Sequence, residues 1–288
     1  MKRQEIGSFW HTREGYRGIG LMELLSIKSF LDHGYKFTLY TYNLKDKILI
    51  DLCNLFDNFS IEDGNKLVPF ENFFLDDRGA GIATFSDYFR YRMLDSELGK
   101  SVWVDLDMVC LNFYDFSQEE YIFSQEIDLD QTMPRVTNSL VKFPKNSSFG
   151  KQLILEAENI INHRKRVPWA IIGPSFLAKQ VKQSNLERYN WDYRKTCQIS
   201  WGRAKDFIKT HKFDRSQPFL HLYSEMWNTY MMNRNYFYKN NIYGELLEKH
   251  EIKKLAHQIN FNFTFKDKLP NFLYHYLRWL QKPFHNRT

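Results

Sequence analysis

Cysteine is scarce in this chain: Cys53, Cys110 and Cys197 are odd in number and widely spaced, with no CxxC and no His/Cys cluster. That excludes a disulfide framework and a thiolate zinc site, and it suits a reducing cytosol. Glycine is also sparse, at 13 positions, and no self-similar period runs through the 288 residues, so a repeat array or a disordered low-complexity chain is excluded. Long apolar runs are missing too. No stretch approaches the ~18 apolar residues of a spanning helix. The opening Met1-Lys-Arg-Gln-Glu-Ile-Gly7 lacks the apolar segment of a signal peptide. The expectation is a cytoplasmic chain that does not cross a membrane.

What the chain does contain is apolar and aromatic bulk. Aromatics make up 17% of residues, enough with this length for a full core in a mixed α/β architecture. The formal charge is +6 and the isoelectric point is near 9.0, which favours anionic partners such as nucleotide phosphates or an anionic membrane surface. The positive residues are scattered and not clustered, so nucleic acid is not an expected partner.

The opening reads as β-α-β. Ile6 to Trp10 forms a strand, and Gly18 to His33 carries a helical stripe through Leu21, Leu24, Leu25, Ile27, Phe30 and Leu31 that Gly34 stops. Phe37 to Tyr42 then alternates as a second strand. A helix over Ile82 to Glu97, with Gly99 as its stop, leads into an acidic strand. Tyr121 to Gln125, Val136 to Phe143 and Gln198 to Trp201 read as further strands, and Ser148 to His163 as a helix behind a Ser cap. From Gln217 to Met232 a polar-aromatic loop runs into a helix. This alternation predicts a mainly parallel sheet covered on both faces, with ligands beyond the carboxyl ends of its strands.

The acidic strand is the most telling segment. In Lys100-Ser-Val-Trp-Val-Asp-Leu-Asp-Met-Val-Cys110, Asp105 and Asp107 stand two apart, and in a strand of period two they share a face. The run stays apolar beyond them, with no Gly, Asn or Pro, so a solvated acidic turn is not expected. Two carboxylates beside so much apolar surface call for a cation, and a hard divalent ion with oxygen ligands supplies it. On the preceding helix, Asp87 and Arg90 sit at i and i+3 and can reach a common ligand or each other.

Ser86-Asp87-x-x-Arg90-Tyr91 followed by Trp103-x-Asp105-x-Asp107 resembles the core signature of retaining glycosyltransferases of family 32, whose sugar-binding region carries a DXD motif. The likeness extends to Phe9-Trp10, Leu39-Tyr-Thr-Tyr42, Val136-Thr-Asn138, Gly173-Pro174 and His221 to Trp227. One departure is Gly99-Lys100-Ser101, where the family often has Gly-Gly. The resemblance implies a GT-A fold with a Rossmann-like nucleotide-binding core. It implies a nucleotide-sugar donor, UDP-linked, and a saccharide or lipid-linked saccharide acceptor of the cell envelope, of the capsule or lipooligosaccharide type. It also implies Mn²⁺ or Mg²⁺, with imidazole tilting the choice toward Mn²⁺.

Carried over residue by residue, the resemblance implies that Trp10 and Thr41 line the base pocket, that Asp87 and Arg90 hold donor phosphate and sugar hydroxyls, and that Ser86 is donor-binding beside them. Asp105 meets the ribose or the metal, and Asp107 chelates the metal, with His221 as a further ligand. Asn138 and Gly173 fall in donor-binding blocks. Ser224 and Trp227 resemble a diphosphate-contacting pair on a closing loop, with Glu225 as an alternative ligand. No catalytic base or nucleophile is identified.

The last segment is basic and aromatic. Lys268 to Phe284 places Leu269, Leu273, Tyr276, Leu277 and Leu280 on one helical stripe, with Lys268, Arg278, Lys282 and Arg287 adding charge. The expected organisation is a catalytic domain over 1–250 and an amphipathic segment over 251–288, peripheral on the inner face of a membrane. Two other readings fit parts of the pattern. Val102-Trp-Val-Asp105-x-Asp107 also fits the nucleophile strand of HAD-type phosphatases, though no Gly-Asp-x-x-x-Asp follows. A non-catalytic module for anionic ligands would account for the charge but not for the paired aspartates.

Overall fold

The computed structural model describes residues 3–12, 17–78, 82–127 and 133–281. In chain order the elements are β1 (Glu5–Phe9), α1 (Leu21–Asp32), β2 (Lys36–Thr41), α2 (Lys47–Leu55), β3 (Phe59–Asp63) and α3 (Ala83–Asp95). Next come β4 (Trp103–Val104), β5 (Met108–Cys110), β6 (Ile122–Glu126), β7 (Arg135–Lys142), α4 (Ser148–Asn162), α5 (Pro174–Gln183) and α6 (Arg194–Cys197). The chain finishes through β8 (Phe219–His221), α7 (Ser224–Thr229), α8 (Ile242–Lys249), α9 (Ile252–Gln258) and α10 (Asn271–Leu280).

Six strands form one sheet in the order β3-β2-β1-β4-β7-β6. Strands β1 to β4 run parallel, while β7 is antiparallel to both its neighbours. A separate pair, β5 with β8, is antiparallel. The predicted α/β architecture, a mostly parallel sheet with helices on both faces, is therefore what the chain adopts.

The pleat sorts the side chains. Leu39, Val104, Ile122 and Leu140 point into one apolar core with α1, α8 and α9. Their neighbours Tyr40, Trp103, Phe123 and Val141 point into a second core with α3, α4 and α5. Helix α1 is buried at ten of its twelve residues, which is why its sequence is apolar nearly all round. It ends where the stripe predicts, with Gly34 at φ +86° turning the chain into β2. The Ser cap before α4 is Ser147, whose Oγ accepts from Gly150 N at 3.0 Å.

Three sequence expectations need correction. The acidic segment is not one strand: β4 stops at Val104, and a turn closed by Met108 N donating to Asp105 O at 3.0 Å carries both aspartates before β5 begins. The run stays apolar because strands buried in two different sheets flank that turn. Gln198 to Trp201 is not a strand either; it links α6 to a 3-10 segment over Trp201–Ile208, and the Gln198 amide is spent on the backbone of Asp214. Gly99 is not the stop of α3, which ends at Asp95 with Ser96 as its cap. Gly99 is needed for another reason: a Cβ there would lie 1.8 Å from the Met93 carbonyl oxygen.

Among the described residues no helix is long and apolar enough to cross a membrane. Helix α9 packs into the first core through Ile252, Leu255 and Ala256, whereas α10 has no buried residue. Lys282, Phe284 and Arg287 of the predicted amphipathic segment lie outside the described residues.

Candidate functional site

A cleft of about 780 Å³ opens beyond the carboxyl ends of β1 and β4, lined by Ser8 to Thr12 on one side and Asp105 to Asp107 on the other. This is where a parallel sheet leaves its strand ends free for a ligand. The turn that carries the aspartates is pinned at both ends. Asp105 N donates to Ser139 O of β7 at 2.8 Å, and Leu222 N donates to Asp107 O at 2.9 Å.

Asp107 is buried, and both of its carboxylate oxygens are engaged. Oδ2 accepts from Ser224 N at 2.6 Å, and Oδ1 stands 3.2 Å from His221 Nε2. That contact follows from register, because β8 pairs His221 with Met108, the residue after Asp107. Tyr223, at φ 56°, makes the left-handed turn that swings the Ser224 amide toward Asp107, and its ring lies 4.0 Å from the imidazole. The His221 Nδ1 faces Cys197 Sγ at 3.9 Å, leaving Nε2 for the cleft side.

Asp105, Asp107 and His221 each present one ligand atom, all within 4.8 Å of one another, and so can hold a metal ion. Two carboxylates with one imidazole, each steadied from outside the trio, are a donor set that fits a divalent cation with oxygen preference. Burial works against the charges of the Asp107–His221 pair, but their mutual attraction prevails. Asp107 is held well below the usual carboxylate range, also by the Ser224 amide, and His221 is held well above the usual imidazole range. Burial raises Asp105, with Arg90 opposing and Asp107 reinforcing the rise.

Arg90 organises the acidic side. Its guanidinium donates to Asp105 Oδ1 at 2.9 Å, lies 3.3 Å from Asp87 Oδ1 and stacks 4.7 Å from the Trp103 ring centre. The Trp103 Nε1 donates to the same Asp105 oxygen at 2.7 Å. Asp87 also accepts from Asn138 Nδ2 at 2.7 Å, and burial pushes its carboxyl up to about 7, with Arg90 and Asn138 working the other way. Gly173 explains itself here: a Cβ at that position would stand 3.0 Å from Asp87 Oδ2. The following Pro174 is the first residue of α5, a position that needs no N–H.

The structure thus brings Trp10, Ser86, Asp87, Arg90, Asp105, Asp107, Asn138, His221, Ser224 and Glu225 to one cleft. Thr41, Gly173 and Trp227 stand behind its wall. Thr41 is buried with its Oγ1 accepting from Asn43 N, and Trp227 is buried against Tyr243, its Nε1 donating to Leu222 O. Sequence reasoning missed Arg17, Glu23 and Arg234, which line the same cleft. More than two hundred positions separate Arg17 from Arg234, and no spacing connects them. It also missed Glu126 with its partner Arg135, at 2.9 Å, on β6 and β7. Strand alternation could have placed those two on one face.

No family model matches the chain, and no curated protein matches it. Among solved structures it is similar to the PaToxG glycosyltransferase at 16% identity and a TM-score of 0.47, over 64% of this chain and 70% of that one. It is also similar to the apo form of the glycosyltransferase GlyE of Streptococcus pneumoniae TIGR4, at 12% identity and a TM-score of 0.47. That match covers 94% of this chain and 65% of the other, so the chain spans about two thirds of the GlyE chain's length. A second GlyE structure gives 14% identity, a TM-score of 0.46 and coverage of 94% and 66%. These likenesses concern the course of the backbone.

Proposed function

We propose that the chain is a metal-dependent, retaining glycosyltransferase of GT-A type. It moves a hexose from a nucleotide sugar, UDP-linked in the reading from sequence, to a saccharide acceptor of the cell envelope. The observation that carries this reading is the convergence of Asp105, Asp107 and His221 in a strand-end cleft with Arg90 bound to the same acidic cluster. Manganese is the preferred ion because one of the three donors is an imidazole nitrogen.

Breaking a glycosyl–phosphate bond develops negative charge on the leaving diphosphate, and a bound divalent ion supplies the compensating charge. Arg90 fixes the orientation of Asp105, and the Ser224 amide that of Asp107, so the trio is set before the donor arrives. Asn138 and Arg90 hold the Asp87 carboxyl at the edge of the site, where it can accept a sugar hydroxyl. Retention is read as displacement on one face of the sugar: the acceptor oxygen bonds to the anomeric carbon as the phosphate leaves, and the acceptor's proton passes to a phosphate oxygen. Surface attachment through the 251–288 segment belongs to the same proposal, with α10 presenting its apolar face to an anionic membrane.

The phosphatase alternative is not favoured, because Asp105, its nucleophile, is tied to Arg90 and Trp103. The test is a panel of nucleotide sugars with Mn²⁺ or with EDTA, scoring donor hydrolysis and transfer. Asp107→Ala is expected to lower turnover by at least roughly a thousandfold while the far-ultraviolet spectrum stays native. Equal turnover in EDTA, or in the variant, would reject the metal role.

A further inference from the structure

The ionic groups that line the cleft are unevenly paired. At the metal side, Asp87, Asp105 and Asp107 outnumber Arg90 and His221. Arg135 is matched to Glu126, and Arg78 to Glu225. The remaining lining charges are Arg17, Arg234 and Glu23, two cations for one carboxylate. Both oxygens of Glu23 are engaged: Oε1 accepts from Arg17 at 2.8 Å, and Oε2 accepts from Gly20 N at 2.8 Å as part of the capping of α1. Arg234 stands 3.9 Å from Glu23, donates to Asn228 Oδ1, and keeps only 7% of its side chain exposed. Glu23 is the carboxylate beside it and is shared with Arg17, so a guanidinium this deeply buried gains from a further anion in the cleft.

We infer that Arg17 and Arg234 form an anion subsite, in the same cleft as the Asp105–Asp107–His221 cluster, that grips the phosphate of the donor nucleotide lying nearer the nucleoside. The inference rests on the nucleotide-sugar reading and deepens it. Position supports it twice. Arg17 stacks 5.1 Å from the ring centre of Trp10, the residue read as bordering the base. Among the described residues Trp10 Nε1 has no hydrogen-bond partner, although it is buried. Helix α7 also links the two sites: its Ser224 amide holds Asp107 and its Asn228 side chain holds Arg234. Two guanidinium groups with planar donors suit phosphate oxygens better than they suit a neutral sugar.

The experiment measures binding, not turnover, with uridine diphosphate, uridine and inorganic pyrophosphate as probes, each in Mn²⁺ and in EDTA. Arg17→Gln is the surface variant, and Arg234→Lys keeps the charge while losing the fork; both are checked for native circular dichroism. In EDTA, each variant is expected to bind uridine diphosphate at least about tenfold more weakly than the wild type. Uridine affinity should stay unchanged, as should the gain in diphosphate affinity conferred by Mn²⁺. Unaltered diphosphate affinity in both folded variants overturns the subsite while leaving the glycosyltransferase reading intact. If the wild type binds pyrophosphate through these arginines but no nucleoside diphosphate, the anion site stands and the donor reading falls. If it binds neither, both fall.

Discussion

Helices α1 and α10 have similar lengths and are both rich in Leu, yet ten of twelve residues are buried in the first and none of ten in the second. Composition does not separate them; what differs is whether a sheet face is available. Helix α1 lies against β2 and β5 and is covered from behind by α9, so its apolar residues meet partners on every side. By the time the chain reaches α10 both sheet faces are taken, and Phe272, Leu273, Tyr276 and Leu280 remain exposed. Under the proposed surface attachment, that apolar face and the neighbouring Lys266, Lys268 and Arg278 would meet an anionic bilayer.

The contrast can be broken at several points. Leu25→Ala in α1 leaves a cavity in a fully buried core and is expected to cost about 2–5 kcal/mol in denaturant unfolding. A cost under about 0.5 kcal/mol would mean that α1 is not held by burial. Ending the chain after Asn271 removes the exposed face. Sedimentation with phosphatidylserine vesicles should then lose at least about tenfold in binding, with turnover on a water-soluble acceptor within about twofold of the full chain. Undiminished sedimentation would show that α10 is not the attachment.

A pH scan sharpens the comparison, since the body carries a buried carboxyl with a shifted titration and α10 has no buried residue. Burial raises Asp87 to about 7, so its contribution is fully present below the ordinary carboxylate value and is lost as pH climbs toward 7. In metal-free protein, Asp87→Asn should therefore flatten the fall in stability between about pH 4 and pH 7, removing a slope of up to about 1.4 kcal/mol per pH unit. An unchanged profile would place the titration elsewhere. The smallest effect is expected from Leu273→Ala on α10, within about 0.5 kcal/mol in the absence of vesicles.

Much of this was legible because it is periodic. The stripe from Leu21 to Leu31, the Gly34 stop and the alternation of β2 are local patterns with local causes. The paired aspartates were visible for a reason that proved incomplete. Period two predicts that their carboxylates share a face, whereas a turn between two strands of different sheets brings them together, and the apolar residues on both sides hide that turn. Trp227 shows the converse. The resemblance pairs it with Ser224 on a closing loop, but the short helix α7 directs the large ring inward, where it is buried in the core. Arg17, Glu23 and Arg234 could not be grouped at all, because their meeting depends on the whole tertiary arrangement.

Asn233 ties the last part of the chain together. Its side-chain amide donates to the carbonyl oxygens of Lys266, Asp267 and Leu269, and its backbone N–H donates to Asn271 Oδ1, the first residue of α10. The adjacent residue is Arg234. These bonds join the foot of the outer helix to the residue next to Arg234 in the wall of the cleft. Were the protein attached through that helix as proposed, the joint would fix the direction in which its opening looks.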